Sequence, residues 1–219
     1  MTKKKKLIIY DLDGTLADTA ADIVASANHM RSAFGLGALP AERVSGYVGH
    51  GLHYLVKNCL ETEDPKTVEK AGKIYREYYG AHMLDHSRLF PGAAEFLAHF
   101  KERSQAVLTN KPDPFSKDLL QALGVGGFFF EIIPGNSHFA KKPSPESIFW
   151  LMKKAEALHE EVLMVGDSSI DIETARNAGV MAACLTHGFS DANELKSSSP
   201  EVITDGFQEL LRIAKEKDW

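Results

Sequence analysis

The stretch Leu7-Ile8-Ile9-Tyr10-Asp11-Leu12-Asp13-Gly14-Thr15 decides how this 219-residue chain is read. Four apolar residues, rich in branched aliphatics and preceded by a lysine cluster, read as a buried parallel strand. The strand ends in two carboxylates one residue apart. Alternation along a strand points Asp11 and Asp13 towards one small volume. Open α/β sheets bind ligands at the carboxyl ends of their strands, which is where these acids fall. Two like charges this close raise the proton affinity of one member unless a cation lies between them. The tripeptide suits a nucleophile, an acid/base and a metal site together. Alone, it reads more readily as an ordinary turn, since Asp and Gly are common turn residues, and the rest of the chain must decide.

Composition sets the bounds. The length allows one large domain or two small ones, and 44% hydrophobic with 25% charged residues is ordinary for a globular protein. A net charge of −5 gives no support to nucleic-acid binding. The run Lys3 to Lys6 is followed by only four apolar residues, too few for a signal-peptide core, so a solvated lead into the first strand is expected. No apolar stretch reaches the length of a membrane span. Cys59 and Cys184 are too few for a disulfide framework and fit a reducing, cytoplasmic setting.

Beyond the first strand the opening third is helical in period, with no clear strand. Asp18 or Thr19 to Phe34 places Ile23, Val24, Ala27 and Met30 on one face before Gly35 and Gly37. A second helix is expected over Leu52 to Leu60. A third starts near Pro65 and carries Val68, Ala71, Tyr75, Tyr78 and Met83. Residues 16–84 thus read as a helical cap inserted after the first strand, with 1–15 and 85–219 forming an α/β core.

From Phe90 onward helices and apolar strands alternate. Helices are expected from Pro91-Gly92 to Phe100, after Asp113 (N-cap) and Pro114 (first turn) as far as Gly124, after Ser144-Pro145 to Leu158, from Ile170 to Ala178, and from Phe207 to Lys217. Strands are expected at Gln105–Leu108, Phe128–Ile133, Val162–Val165 and Val180–Leu185. Such alternation implies a Rossmann-like parallel sheet covered on both faces.

Asp11-Leu12-Asp13, Thr109-Asn110, Lys142-Pro143 and Gly166-Asp167 then fall at strand ends or nearby loops, and Asp171 at the start of the next helix. In this topology they converge on one edge of the sheet. Clustered carboxylates in a poorly solvated pocket imply a multivalent cation, and oxygen ligands without histidine or cysteine suit Mg²⁺. Singly, Thr109-Asn110 is a loop start, Lys142 a surface lysine and Asp171 a helix-start acid.

Together, in this order, the segments resemble the haloacid-dehalogenase superfamily, known by D-x-D-x-T/V, a later Ser/Thr, a Lys and a final acidic pair. DLDGT at 11–15, Thr109, Lys142 and GDSSID at 166–171 match. One departure is Ala140-Lys141-Lys142-Pro143, where many relatives have glycine before the lysine. Lys142 keeps the place before proline, so the role passes to it and not to Lys141. The resemblance implies Asp11 as nucleophile forming an aspartyl-phosphate and Asp13 as acid/base. It also implies Mg²⁺ held by Asp11, the Asp13 carbonyl and Asp167, with Asp171 in the shell or orienting a bound water. Thr109 and the Asn110 main-chain N–H would hold phosphoryl oxygens, and Lys142 would neutralise charge.

Asp13 favours phosphate esters, since an alkoxide needs a proton that a halide does not. Lys57 is the nearest candidate for a phosphonatase-type cap lysine, but nothing marks it. TNKPDPFSKDLLQALG at 109–124 and the Val48–Leu52 segment look like phosphoglycolate phosphatases, so the expected partner is a small phosphorylated metabolite, best read as 2-phosphoglycolate. Gly49, His50, Gly51 and Lys111 are the candidate specificity residues. His50 with His53 and His82 with His86 lack a third ligand and read as surface or cap-packing residues. Nucleotidase, pyrophosphatase, sugar-phosphate phosphatase or phosphomutase activity, and a phospho-accepting regulator without turnover, remain alternatives; monomer and homodimer are both open.

Overall fold

The computed structural model describes residues 4–219, so Lys3 lies outside the described residues. Strand β1 (Leu7–Tyr10) is buried along its whole length. Its side chains alternate between two cores. Ile8 and Tyr10 join one with Phe96, Leu119 and Phe207; Leu7 and Ile9 join the other with Ile148, Leu151 and Ala175. That is why the run is apolar at every position and not at every second one.

The chain leaves β1 through β2 (Ala17–Asp18), α1 (Ala20–Ala33), α2 (Ala41–Ser45), α3 (Leu52–Leu60) and α4 (Pro65–His82), returning by β3 (Arg88–Leu89). There follow α5 (Ala93–His99), β4 (Ser104–Leu108), α6 (Phe115–Ala122), β5 (Glu131–Ile133), α7 (Glu146–Lys154), β6 (Val162–Gly166), α8 (Ser169–Ala178), β7 (Met181–Leu185), α9 (Ala192–Ser197), β8 (Val202–Thr204) and α10 (Phe207–Glu216). Six strands form a sheet in the order β5-β4-β1-β6-β7-β8, and every pairing is parallel. This is the Rossmann-like α/β architecture that the alternation implied. Because β1 is central, its carboxyl end lies between those of β4 and β6, with Tyr10 in register with Val107 and Val165.

Helices α1, α3 and α4 and the turns between them close around a separate apolar cluster that also takes in Phe115 from α6. The buried stripe of α4 is Val68, Ala71, Tyr75 and Tyr79. Tyr79 and not Tyr78 therefore continues it, and Tyr78 is instead stacked between His29 and His82 at 4.0 and 4.2 Å. Two-residue β2 and β3 pair antiparallel at the neck of this bundle, Ala17 with Leu89 and Asp18 with Arg88. They are too short to leave a periodic signal.

Other expectations are corrected. Lys5 is not solvated: it is 3% exposed and donates to the Glu160 carbonyl at 2.9 Å. Lys4 and Lys6 remain outside, near Asp218 and Glu161 at 3.3 Å each. The N-cap of α6 is Pro114, one residue later than expected; the Asp113 carboxylate instead receives the Ser116 hydroxyl at 2.5 Å and faces Lys117 at 2.6 Å. Helix α7 starts at Glu146 and stops at Lys154, short of Leu158. The apolar run at 128–133 pairs only over Glu131–Ile133, because Gly126–Phe128 forms a 3₁₀ turn from which Phe128 and Phe129 pack onto the core under the sheet, while Phe130 stays exposed. Among the described residues no helix is long and apolar enough to cross a membrane.

Candidate active site

The site forms where β1, β4 and β6 end. Asp11 continues the β1 ladder by one bond, its N–H donating to the Val165 carbonyl at 2.9 Å. Its Oδ1 accepts from the Leu12 N–H at 2.7 Å and lies 2.9 Å from Lys142 Nζ. Among the described residues its Oδ2 has no protein partner. Lys142 Nζ also reaches Asp171 Oδ1 at 2.7 Å, so one buried ammonium bridges two buried carboxylates. Burial alone would discharge Lys142, but the two carboxylates outweigh it and hold its pKa above the ordinary lysine value.

Asp171 has a second duty that its helix-start position forecasts. Its Oδ2 accepts from Ser168 Oγ at 2.7 Å and from the Ser168 and Asp167 N–H groups at 3.1 and 3.2 Å, closing a capping box at the start of α8. Asp167 is fixed by the Thr15 hydroxyl at 2.6 Å and the Phe189 N–H at 2.9 Å. Its neighbours must be glycine, since a Cβ at Gly14 or Gly188 would lie 2.3 or 2.2 Å from its carboxylate. Asp11, Asp167 and Asp171 thus bring one oxygen each within 4.8 Å of one another.

Three buried carboxylates face one lysine charge, and the imbalance is visible in the proton affinities of Asp11 and Asp167. Burial pushes Asp11 up to about 6, with Asp171 adding to the rise and Lys142 opposing it. Asp167 is raised well above the usual carboxylate range by burial, then by Asp171 and Asp11. A divalent cation among these oxygens would remove that penalty. The donor set is oxygen only, which fits Mg²⁺.

Asp13 faces other partners. Its Oδ1 accepts from Thr19 Oγ1 and Lys111 Nζ, both at 2.8 Å. Lys111, at the far end of the β4 loop, also donates to the Tyr79 hydroxyl at 2.6 Å, which ties the sheet to α4. The neighbouring Asn110 makes a parallel tie. Its Nδ2 donates to the Gly49 carbonyl at 2.7 Å and its Oδ1 receives the Lys142 N–H at 3.1 Å. The Asn110 main-chain N–H has no partner among the described residues.

A cavity of about 50 Å³ lies between bundle and sheet, lined by Asp11, Asp13, Thr109, Lys111, Tyr79 and Gly51 among others. Of the expected specificity residues, Gly49 and Gly51 line it, both in the left-handed region at φ 94° and 90°. His50 does not; it lines an adjoining polar cavity of about 120 Å³ that opens on Asp167 and Ser168. Lys57 pairs with Glu63 at 2.7 Å, and His82 Nδ1 lies 2.8 Å from Asp85. The structure therefore brings Asp11, Asp13, Thr109, Asn110, Lys111, Lys142, Asp167 and Asp171 together. Thr19, Tyr79 and the Phe189 N–H are additions that sequence reading did not find; only the Tyr79 position, one step from Tyr78 in the helical pattern, carried any signal.

The family model of haloacid dehalogenase-like hydrolases matches residues 8–185, a span that holds Asp11, Asp13, Thr109, Asn110, Lys111, Lys142, Asp167 and Asp171. This chain is a haloacid dehalogenase-like hydrolase. Among proteins similar to it, the phosphoglycolate phosphatase of Vibrio parahaemolyticus is 34% identical over 95% of both chains. That of Haemophilus influenzae is 34% identical over 97% of this chain and 100% of its own. A solved structure from Haemophilus somnus, described as a predicted phosphoglycolate phosphatase, superimposes with a TM-score of 0.92 at 29% identity, covering 97% of this chain and 99% of the other.

Proposed function

We propose that this hydrolase is a Mg²⁺-dependent phosphoric monoester hydrolase that passes the phosphoryl group through Asp11, and that its substrate is 2-phosphoglycolate. The observation that carries this reading is the unpartnered Oδ2 of Asp11, beside a buried cavity whose lining also includes Asp13. Asp11, Asp167 and Asp171 would hold the ion, with the Asp13 main-chain carbonyl. The chemistry that Mg²⁺ supplies when bound is charge neutralisation between the carboxylates and the phosphoryl oxygens.

In the first half-reaction Asp11 Oδ2 attacks phosphorus, the bond to the ester oxygen breaks, and Asp13 gives that oxygen its proton. In the second, Asp13 takes a proton from water, the water oxygen bonds to phosphorus, and the acyl–phosphate bond breaks to release phosphate and restore Asp11. Thr109 and the free Asn110 N–H would hold phosphoryl oxygens, where oriented donors favour the charge of the transition state. Lys142 keeps Asp11 paired and correctly aimed.

The small cavity supports a small substrate. A volume of about 50 Å³ has room for only a few water-sized groups, since a single water needs about 10–15 Å³ by this measure. The full-length relatives named phosphoglycolate phosphatase support the same choice. Bundle residues 16–84 act as the cap that excludes water. Turnover of 2-phosphoglycolate, a 5′-nucleotide, pyrophosphate and glucose 1-phosphate with Mg²⁺ tests the reading: 2-phosphoglycolate should have the highest kcat/KM, and a higher value for any of the others would replace it.

A further inference from the structure

Two lysines meet the two catalytic-pair aspartates, each with two acceptors but of different kinds. Lys142 bridges two carboxylates, Asp11 at 2.9 Å and Asp171 at 2.7 Å. Lys111 bridges one carboxylate, Asp13 at 2.8 Å, and one phenol, Tyr79 at 2.6 Å. An ammonium has three N–H groups, so Lys111 keeps one without a protein acceptor among the described residues. Tyr79 accepts from Lys111, which leaves its own O–H hydrogen unspent as well. Lys111 is 9% exposed and Tyr79 1%, so bulk water does not readily serve either. Buried donors of this kind are costly when unpaired.

Both line the cavity that Asp11 faces, and among the described residues lining it Lys111 is the one cationic side chain. The wall around them is apolar, formed by Ile23, Leu55, Tyr75 and Phe115. Two unspent donors on atoms 2.6 Å apart match the spacing of the two oxygens of a carboxylate.

We infer that Lys111 Nζ and the Tyr79 hydroxyl form the subsite for the carboxylate of the substrate, one donor from the sheet edge and one from α4. The inference rests on the phosphatase reading above and names what selects the substrate. Because the donors come from opposite walls, the carboxylate would complete the contact between bundle and sheet. Its pull on Lys111 falls on the same ammonium that holds Asp13.

Tyr79→Phe is the discriminating variant, since it removes the O–H and keeps the ring that stacks on Tyr75 at 5.6 Å and meets Phe115 edge-on at 5.3 Å. Kinetics are compared for 2-phosphoglycolate and ethyl phosphate, which share a two-carbon ester but differ in the carboxylate, with thermal melting as a check on folding. The expected result is a loss of about tenfold in kcat/KM for 2-phosphoglycolate, mostly in KM, as for one hydrogen bond to a charged partner. Ethyl phosphate should change much less. Lys111→Met should lower both, and 2-phosphoglycolate more. Equal losses on the two esters in Tyr79→Phe would overturn the subsite while leaving 2-phosphoglycolate as the substrate. If wild type shows no preference for 2-phosphoglycolate, the substrate reading falls. The subsite is then judged with 3-phosphoglycerate against glycerol 3-phosphate: a preference lost in Tyr79→Phe supports it, and no carboxylate preference overturns it.

Discussion

Asp11 and Asp13 stand two residues apart in the chain and live in different surroundings. Asp11 belongs to a corner built from strand ends, the loops that follow them and the first turn of α8, where each carboxylate is fixed by nearby backbone N–H groups, hydroxyls or Lys142. Asp13 belongs to a corner shared with the bundle, held by Thr19, Lys111 and, through Lys111, Tyr79. The first corner is densely hydrogen-bonded and carries three carboxylates against one lysine; the second depends on the bundle meeting the sheet. On the proposed mechanism, the difference separates the task of carrying a phosphoryl group from the tasks of moving a proton and choosing a substrate.

The comparison breaks most sharply at the proposed nucleophile. Asp11→Asn keeps the shape and deletes the attacking charge, so kcat should fall on the order of 10⁴-fold or more on every ester. Steady turnover by the purified variant within tenfold or so of wild type, by phosphate release, would give Asp11 a lesser role. Lys142→Met comes next. It strands Asp11 and Asp171 without their shared counter-charge, and thermal melts without Mg²⁺ should show about 3 kcal/mol of lost stability. Added Mg²⁺ should recover part of it. A variant as stable as wild type without the metal would mean that the corner is not overloaded.

Acid should act on the Asp11 corner in a fixed direction. Asp11 sits at about 6, raised by burial. Above that pH the carboxylate is free to bind metal; below it Mg²⁺ must displace a proton, so apparent affinity falls as pH drops. Calorimetric titration with Mg²⁺ at about pH 5 and about pH 7.5 should show clearly weaker binding at the lower value. Equal affinities would remove Asp11 from the metal's donors. Asn110→Ala is the mildest test and bears on the shared corner's side of the site. It removes the bond to the Gly49 carbonyl and leaves the Lys142 N–H without its acceptor. KM should rise about threefold to tenfold, with a smaller change in kcat; a kcat loss alone would place Asn110 with the chemistry and not with closure.

The two corners were not equally legible in the sequence. Asp11 and Asp167 directly follow strands whose apolar runs announce them, and Asp171 lies in the first turn of α8, where the Ser168–Asp171 spacing is itself a helix-start pattern. Short-range rules sufficed there. Tyr79 was hidden because Tyr75, Tyr78 and Tyr79 all fit a helical face at three- and four-residue steps, and only packing against Phe115 decides which of the last two is buried. Thr19 gave no signal as a partner of Asp13, since its place before α1 reads as a helix entry. The β2–β3 ribbon failed for length, two residues a strand. Lys5 failed because a lysine in a basic run reads as solvated, whereas here the Glu160 carbonyl at 2.9 Å receives it.

The separation of roles between the two aspartates is tested most directly by trapping the phosphoenzyme. Enzyme quenched in acid during turnover of 2-phosphoglycolate with Mg²⁺, then reduced with borohydride, converts an aspartyl-phosphate to homoserine, which peptide mass spectrometry places in the chain. The account predicts homoserine at position 11 and an intact aspartate at position 13. Homoserine at Asp13, or none at either position in enzyme saturated with substrate and turning over, would contradict it.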